Sequence, residues 1–405
     1  MGHPSPVPTG HPIMGGHLVE RIKDGHHYAL KRTLINELSE AEKWIAVNEV
    51  RLLASLEHPN VVSYKQGFVE GGCLYVIMEV VPNGDLSKVI DRHRRSETHI
   101  SEKKIWGFLL QIALGLQHLH ASNIVHRDIK PANILINKEG VLKIADLGVA
   151  GLLHMGSSKL QIGTPQYMAP EMHAGHAYSF AADVWSLGCL LYELCALQPL
   201  FQDREEQVVA RKVLATTLPP ALPSRYSPEL QVLFNRMMQH DPELRPTICE
   251  VLQSPQLESR LNLLPAGLEK SLSQHNLSLG CMEGSVVLPA IDIPEDLQDL
   301  NKRLPPPRYS SDNLGPARLE LAAQFAAPAV VPPCPPSGAA QDSRPAPEGP
   351  AAAADDGLLA PAAAAAPLTA AAARRWTKSG LGLRCMLRLV SKGRQHRHGE
   401  PTPGP

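Results

Sequence analysis

Apolar residues recur at spacings of three and four between positions 39 and 56, which predicts an amphipathic helix. The apolar face consists of Ile45, Leu52, Leu53 and Leu56. Ser39 and Glu42 have the spacing of a capping box, so the helix is expected to begin just after Ser39. Glu49 falls on the same apolar face, where an unpaired carboxylate would be costly to bury. The pattern predicts a cationic partner for Glu49; the alternative is a glutamate at the edge of the face.

Two short runs on either side of this helix predict β-strands. His27–Lys31 precedes the helix, and Leu74–Val81 follows it with the composition of a buried strand. Since strand side chains alternate between faces, Ala29 and Lys31 point to the same side. Lys31 is therefore a candidate partner for Glu49, although a lysine at the end of an apolar strand is more often simply solvated.

The composition of the chain changes after about residue 264. Residues 265–321 mix short polar and apolar runs without a sustained period, and alanine and proline dominate residues 322–373. The prolines divide the alanine run into pieces too short to be stable as isolated helices. We therefore interpret residues 258–373 as a linker or disordered low-complexity tail, followed by a basic C-terminal segment at 374–405.

Two stretches of this tail are candidate binding segments. Residues 374–398 contain no acidic residue, and arginines alternate there with leucine, methionine and valine. This pattern suits docking to a protein partner, an acidic filament surface or anionic lipid, and a solvated basic tail is an equally open alternative. Residues 303–308, Arg-Leu-Pro-Pro-Pro-Arg, suit a polyproline-binding domain, although such matches often arise by chance.

Charge and cysteine content narrow the class of protein. The 405-residue chain has a formal net charge of −1, so bulk charge predicts no nucleic-acid or membrane partner. Its seven cysteines form no Cys-x-x-Cys pair, which favours a reducing, intracellular and cytoplasmic location, with cytoskeletal or nuclear association left open. The first sixteen residues lack the apolar core of a signal peptide, and no apolar run of about 18 residues predicts a transmembrane helix.

The strongest chemical signal is the stretch His126–Asn133, which matches the catalytic-loop template H-R-D-x-x-x-x-N. Asp146-Leu147-Gly148 follows, 18 residues after Asp128. Residues 163–171 then end in Ala-Pro-Glu, the end of an activation segment. With these motifs in this order, residues 17–257 resemble a eukaryotic protein kinase.

The resemblance implies a role for each polar residue of these motifs. Asp128 would accept the hydroxyl proton of a protein substrate, and Lys130 would steady the transferred phosphoryl group. Asn133 and Asp146 would hold Mg²⁺. Asp183, in a helical stretch further along, would support the backbone of the catalytic loop. Lys130 and Thr164 also favour serine or threonine over tyrosine as the acceptor.

The ATP-binding side is likewise implied by the resemblance. Lys31 would reach the ATP phosphates while paired with Glu49. The expected contacts with adenine are Ala29 on the strand, Met78 at the back of the pocket, Glu79 and Val81 in the hinge, and Leu135 on the floor. Each of the apolar members of this set would fit equally well as ordinary core.

Further motifs suggest a structural ion pair, a regulatory phosphorylation site and the kinase subfamily. Arg245 is expected to pair with Glu171 of the Ala-Pro-Glu motif. Arg127 is expected to bind a phosphate added to Ser157 or Ser158, which would order the activation loop. More specific features resemble the NIMA-related (Nek) serine/threonine kinases; they are Asp146-Leu147-Gly148, Glu193-Leu194-Cys195-Ala196-Leu197, Pro219-Pro220 and Tyr226-Ser227 before Leu230.

The resemblance implies an α+β, two-lobed fold with a small β-rich N-lobe and a larger helical C-lobe. The N-lobe departs from the family pattern, because alignment back from Lys31 places Thr9, His11 and Met14 at the three glycine positions of the phosphate-binding loop. We expect residues 1–16 to be disordered or an incomplete first strand, in a shortened or alternatively started form of a longer kinase. ATP binding should then be weak and turnover low.

Three functions remain to be compared. The first is an ATP- and Mg²⁺-dependent protein serine/threonine kinase, favoured because Lys31, Glu49, Asp128, Asn133 and Asp146 are all present. The second is a pseudokinase or weakly active scaffold, because the glycine loop is degenerate. The third, a kinase of small molecules, is disfavoured by the complete Ala-Pro-Glu activation segment, which is typical of kinases that bind extended peptides.

Overall fold

The computed structural model describes residues 16–147, 151–152, 163–176, 179–216, 218–268, 286–309 and 387–389. The strands are β1 (Gly16–Arg21), β2 (His26–Leu34), β3 (Tyr64–Glu70), β4 (Cys73–Glu79), β5 (Ile124–Val125), β6 (Ile134–Ile136), β7 (Leu142–Ile144), β8 (Gly151–Leu152) and β9 (Leu387–Leu389). The helices are α1 (Glu40–Ser55), α2 (Leu86–Arg95), α3 (Glu102–Ala121), α4 (Pro170–His173), α5 (Ala181–Ala196), α6 (Glu206–Ala215), α7 (Pro228–Met237), α8 (Ile248–Leu252) and α9 (Pro255–Glu258).

The N-lobe is an antiparallel sheet in the order β3-β4-β2-β1-β9. The central strand β2 pairs Lys31 with Val76 of β4 on one side and with Gly16 of β1 on the other. The far edge of β1 pairs with β9, from Val19 opposite Leu389 to Arg21 opposite Leu387. Both predicted strands are present, although β4 ends at Glu79, where its pairing with β2 also ends, rather than at Val81.

Helix α1 begins where the sequence predicts. Ser39 accepts a hydrogen bond from the backbone N–H of Glu42, and the Glu42 side chain accepts one from the backbone of Ser39. The two residues therefore satisfy each other's backbone donors in the predicted capping box. Leu52 and Leu53 of the predicted apolar face are buried, which packs the helix against the sheet.

The C-lobe is built around the buried helices α3 and α5. Trp106 of α3 and Trp185 of α5 are both at most 2 % exposed and contribute the largest core side chains. Two short antiparallel strand pairs, β5 with β8 and the β6–β7 hairpin, lie between these helices in the chain, and the hairpin pairs Leu135 with Lys143. The β-rich N-lobe and helical C-lobe confirm the predicted fold class. Among the described residues, no helix combines the length and apolarity needed to cross a bilayer.

The structure corrects the predicted linker at 258–373 in two places. A short 3-10 turn, Leu261–Leu263, continues the domain beyond α9, and Leu268 is buried. Residues 286–309 pack against the N-lobe, with a 3-10 turn at Leu297–Lys302 and Leu300 fully buried. The apolar residues that pack this segment against the core are irregularly spaced, so no sustained hydrophobic period marks it in the sequence. The rest of the predicted tail, and residues 1–15 with the degenerate glycine loop, lie outside the described residues.

Candidate active site

A partly buried ion pair joins the sheet to α1. The Nζ atom of Lys31 lies 2.7 Å from Oε1 and 2.9 Å from Oε2 of Glu49. The Glu49 side chain is only 11 % exposed, so the ion pair offsets the cost of removing its charge from water. Burial alone would lower the pKa of Lys31, but the Glu49 and Asp146 carboxylates raise it above its usual value. Lys31 is therefore held as an ammonium, and it is the cationic partner that the helix pattern predicts for Glu49.

Asp146 brings the C-lobe to the same point. Its Oδ1 lies 3.1 Å from Nζ of Lys31, so the lysine contacts carboxylates of both lobes. Asp146 follows β7 and has a φ of 64°, in the left-handed region that aspartate tolerates better than most residues. The next residue, Leu147, is 2 % exposed and anchors the turn in the core.

The carboxylate of Asp128 is the centre of the catalytic-loop cluster. Its Oδ1 accepts hydrogen bonds from the backbone N–H and the hydroxyl of Thr164, at 3.0 and 2.7 Å. Its Oδ2 accepts one from Nδ2 of Asn133 at 2.9 Å and lies 2.6 Å from Nζ of Lys130. Lys130 also donates to Oγ1 of Thr164 at 2.6 Å. The structure thus brings the three residues predicted to be catalytic into one cluster and adds Thr164 to it.

A buried aspartate on α5 positions the catalytic loop from behind. The carboxylate of Asp183 accepts hydrogen bonds from the backbone N–H groups of His126 and Arg127, both at 2.9 Å. It also lies 2.8 Å from Nε2 of His120. Burial alone would raise the pKa of Asp183, but the hydrogen bond and charge of His120 and the backbone donors lower it. An ionised carboxylate therefore fixes the backbone just before Asp128, as the sequence predicts.

One buried oxygen lacks a partner where a metal ligand is predicted. Nδ2 of Asn133 donates to the carbonyl and the carboxylate of Asp128, which fixes the orientation of the amide. Oδ1 of Asn133 is buried and accepts no hydrogen bond from any described residue. Such an oxygen is costly to leave unpaired, and amide and carboxylate oxygens are suitable ligands for Mg²⁺. The residues at this position therefore fit the predicted ion.

The predicted adenine-side residues surround the junction of the two lobes. Ala29 is buried in β2 and pairs with Met78 of β4. Oε1 of Glu79 lies 2.8 Å from Nζ of Lys143 and accepts from the backbone N–H of Ser63 at 2.7 Å. Val81 follows β4, and Leu135 lies in β6; both are partly buried. Contact of these five residues with adenine stays a prediction.

The lysine that pairs with Glu79 was not predicted from the sequence. Lys143 is buried in β7, opposite Leu135 of β6, and reaches back to the end of β4. The position of Lys143 depends on the register of the β6–β7 hairpin. The three apolar residues of β6 do not determine that register from the sequence. A lysine between two apolar residues, Leu142 and Ile144, was the available signal for a buried cation that needs a partner.

A second ion pair, which is fully buried, stabilises the C-lobe below the site. Nη1 and Nη2 of Arg245 each lie 2.7 Å from an oxygen of Glu171, in a bidentate arrangement. The remaining donors of Arg245 bind the backbone carbonyls of Ala181, Gln239 and His240. The predicted pairing with the Ala-Pro-Glu glutamate is therefore present. Ser157 and Ser158, the predicted phosphosites, lie outside the described residues.

The lobes, the Lys31–Glu49 pair and the Asp128 cluster are those of a protein kinase. The protein kinase domain family matches residues 16–257, more than half of the chain, and the chain belongs to this family. The match begins one residue before the predicted boundary at 17.

Nek serine/threonine kinases are among the proteins similar to this chain, as the sequence motifs predicted. Mouse serine/threonine-protein kinase Nek1 is 35 % identical over 246 residues, which cover 60 % of this chain and 20 % of Nek1. Mouse Nek4 is 33 % identical over 263 residues, 64 % of this chain and 33 % of Nek4. Human Nek5 is 37 % identical over 274 residues, 66 % of this chain and 38 % of Nek5. The matches therefore span between about a fifth and two fifths of the length of these relatives.

Proposed function

We propose that this chain is a protein serine/threonine kinase that transfers the γ-phosphoryl group of Mg-ATP to protein hydroxyls. The observation that carries the proposal is the Asp128 carboxylate, held by Lys130, Asn133 and Thr164 at hydrogen-bonding distance. Membership in the protein kinase family supports it. The names of the similar mouse and human proteins support serine and threonine as acceptors.

The reaction is an in-line displacement. The substrate hydroxyl oxygen bonds to the γ-phosphorus while the bond to the β–γ bridging oxygen breaks, and ADP leaves. Asp128 accepts the hydroxyl proton. A carboxylate offers about four acceptor positions, and Asp128 fills four with its present partners. The substrate hydroxyl therefore replaces one of them, and Lys130, which has the most flexible side chain, turns toward the phosphoryl group.

We propose that the same site binds ATP and Mg²⁺, because its side chains present suitable ligand atoms. Asn133 and Asp146 would hold Mg²⁺, through the unpaired Oδ1 of Asn133 and the partly exposed carboxylate of Asp146. Magnesium, when bound, neutralises charge on the phosphate oxygens. Lys31, kept as an ammonium by Glu49, would bind phosphate oxygens from the other lobe.

Partners and location are proposed on the sequence alone. We expect protein substrates with serine or threonine acceptors, and a docking partner for the basic segment at 374–405. Only residues 387–389 of that segment are described, and they pair with β1. The absence of Cys-x-x-Cys pairs in the sequence supports a cytoplasmic location.

The test is a peptide library with serine, threonine or tyrosine as the single acceptor, incubated with the full chain and Mg-ATP. Phosphoserine and phosphothreonine are expected, and Asp146→Asn and Lys31→Met should each reduce transfer by roughly 10² or more. Lys31→Met should leave the fold intact, as judged by circular dichroism. Transfer mainly to tyrosine would refute the acceptor class, and Mg-ATP binding without any transfer would favour the pseudokinase.

A further inference from the structure

Residues 286–309, here called the strap, lie beyond the matched kinase domain and pack along the N-lobe. Leu300 is fully buried, and Leu304 and Tyr309 are at least nine-tenths buried. The strap contacts α1 at one end and reaches the face of the sheet at the other. Besides these apolar contacts it forms hydrogen bonds with polar groups of the N-lobe, so the strap does more than cover an apolar surface.

At its first end the strap is hydrogen-bonded to α1. Nη1 of Arg51 donates to the carbonyl of Leu288 at 2.8 Å, and the backbone N–H of Leu288 donates to Oγ of Ser55 at 2.9 Å. Ser55 in turn donates to the carbonyl of Arg51 at 2.7 Å. Arg51 is 4 % exposed, and its other donors bind Asn48 of the same helix. The Leu288 carbonyl of the strap thus accepts a hydrogen bond from the buried guanidinium of Arg51.

This contact lies on the opposite side of α1 from the active-site pair. Arg51 and Ser55 are four residues apart and share one helix face. Glu49 is two residues before Arg51, which places it about 200° away around the helix. The strap therefore holds the back of α1 while Glu49 reaches Lys31 from the front at 2.7 Å.

In its middle the strap covers the open edge of β3. Oδ1 of Asn301 accepts from the backbone N–H of Val69 at 2.6 Å, and its Nδ2 donates to the carbonyl of Val69 at 2.8 Å. The backbone N–H of Arg308 donates to the carbonyl of Lys65 at 2.7 Å. Since β3 is the last strand on that side, these bonds replace a missing neighbouring strand.

At its far end the strap crosses onto the sheet. The hydroxyl of Tyr309 donates to Oε1 of Gln66 at 2.9 Å. Its ring lies edge-on to Tyr28, with ring centroids 5.3 Å apart, and the guanidinium of Arg21 lies 3.7 Å above its centre. Tyr28 and Arg21 belong to β2 and β1, so one residue of the strap connects three strands.

The proline run predicted to suit a polyproline-binding domain lies within the strap. The carbonyl of Pro305 accepts a hydrogen bond from the hydroxyl of Tyr64 at 2.8 Å. Leu304 and Pro305 are buried, whereas Pro306 and Pro307 are exposed. Part of the run is thus occupied within the chain, and an external domain would have to displace it.

We propose that the strap is a positioning element that holds α1 where Glu49 pairs with Lys31, so that the catalytic unit extends to residue 309. The proposal rests on the proposed kinase function for its effect on activity. It also predicts an effect on the motion of α1 that can be measured without catalysis. The positioning role and the kinase function can therefore be refuted separately.

Ser55→Ala is the most informative variant. Alanine has the higher helix propensity, so a purely local effect would stabilise α1. Loss of the acceptor for Leu288 should instead loosen the helix from the strap. Ser122→Ala is a matched control, because Ser122 directly follows α3, is also buried, and donates to the carbonyl four residues earlier at 2.9 Å, with no described hydrogen bond to the strap.

The measurement is amide hydrogen exchange of the full chain, with and without Mg-ATP. We expect exchange in residues 40–55 to accelerate about fivefold in Ser55→Ala, as for the loss of one hydrogen bond, and to stay unchanged in Ser122→Ala. Asn301→Ala should have a similar effect, whereas Lys302→Ala, next to it on the exposed side of the strap, should not. Exchange in α5 should stay constant and report any general unfolding.

If the chain is an active kinase, Ser55→Ala and Asn301→Ala should lower kcat/KM for Mg-ATP several-fold and leave the KM for peptide unchanged. Unaltered exchange of residues 40–55 in both variants would overturn the positioning role, whether or not the chain is active. Accelerated exchange in these two variants, together with no phosphate transfer by the wild-type chain, would uphold the strap and refute the proposed function instead.

Discussion

The Lys31–Glu49 pair provides the sharpest test of the active-site geometry. Glu49→Gln keeps the size of the side chain and removes its charge. Lys31 then retains one carboxylate partner, Asp146 at 3.1 Å, and should shift toward it. Asp146 is also the proposed magnesium ligand, so the variant should impair phosphate binding by Lys31 and metal binding by Asp146 together.

Glutamine keeps one acceptor oxygen, so the variant loses the charge of Glu49 and one of its two short bonds to Lys31. The size of the effect follows from this loss. Hydrogen bonds to charged groups contribute about 1.5–3 kcal/mol when buried. The Lys31 side chain is 30 % exposed, so we take the lower part of that range, about 1.5–2 kcal/mol. Since about 1.4 kcal/mol corresponds to tenfold in rate, kcat/KM for Mg-ATP should fall roughly 10- to 30-fold.

Helix α1 also offers a matched control. Glu40 pairs with Lys43 at 2.7 Å, but its side chain is 79 % exposed, and such surface pairs contribute little. Steady-state kinetics at several Mg²⁺ concentrations should show the loss in Glu49→Gln, reduced by excess Mg²⁺, and no more than about a twofold change in Glu40→Gln. If the two variants were equally active, the pair would not support catalysis.

Three further outcomes are expected. Arg245→Lys should lower the free energy of unfolding by about 2–3 kcal/mol in urea titrations, because lysine cannot form the bidentate bond to Glu171; a change below about 0.5 kcal/mol would mean that the pair is dispensable. Burial lowers the pKa of His173, so the unfolded chain takes up a proton first as pH falls below 6.5, and stability should decline there in the wild type more than in His173→Gln; parallel declines would exclude His173 as the cause. A strand with an intact glycine loop, grafted ahead of His17, should raise both activity and stabilisation by Mg-ATP, and an unmodified chain that matched the graft would show that residues 1–16 already form a working lid.

Local patterns were sufficient to predict the parts of the site that lie within one element. The capping box defined the start of α1, and its apolar face singled out Glu49 as a carboxylate that needed a partner. The motif residues Asp128 and Asn133 are five positions apart in one loop, and the structure places them in direct contact. Resemblance to protein kinases supplied the distant pairs, such as Arg245 with Glu171.

Contacts between distant segments without periodicity could not be predicted. Asn301 binds the edge of β3 through one amide, more than 230 positions away in the chain. An isolated asparagine in a mixed polar segment carries no signal for such a contact. The pairing of Lys143 with Glu79 likewise depends on strand register. In both cases the tertiary structure determines which residues meet. For the same reason the prediction of a linker was wrong for residues 286–309.

The most direct test of the central claim is the rate of phosphoryl transfer by the full chain compared with Asp128→Asn. Both should be measured with saturating Mg-ATP and the same serine or threonine peptide, by mass spectrometry of the product. Asparagine preserves the shape of the site but cannot accept the hydroxyl proton, and a positioned base contributes at least about 10². A wild-type rate at least 100-fold above the variant is predicted. Rates within about tenfold of each other, or no transfer by either, would contradict the account.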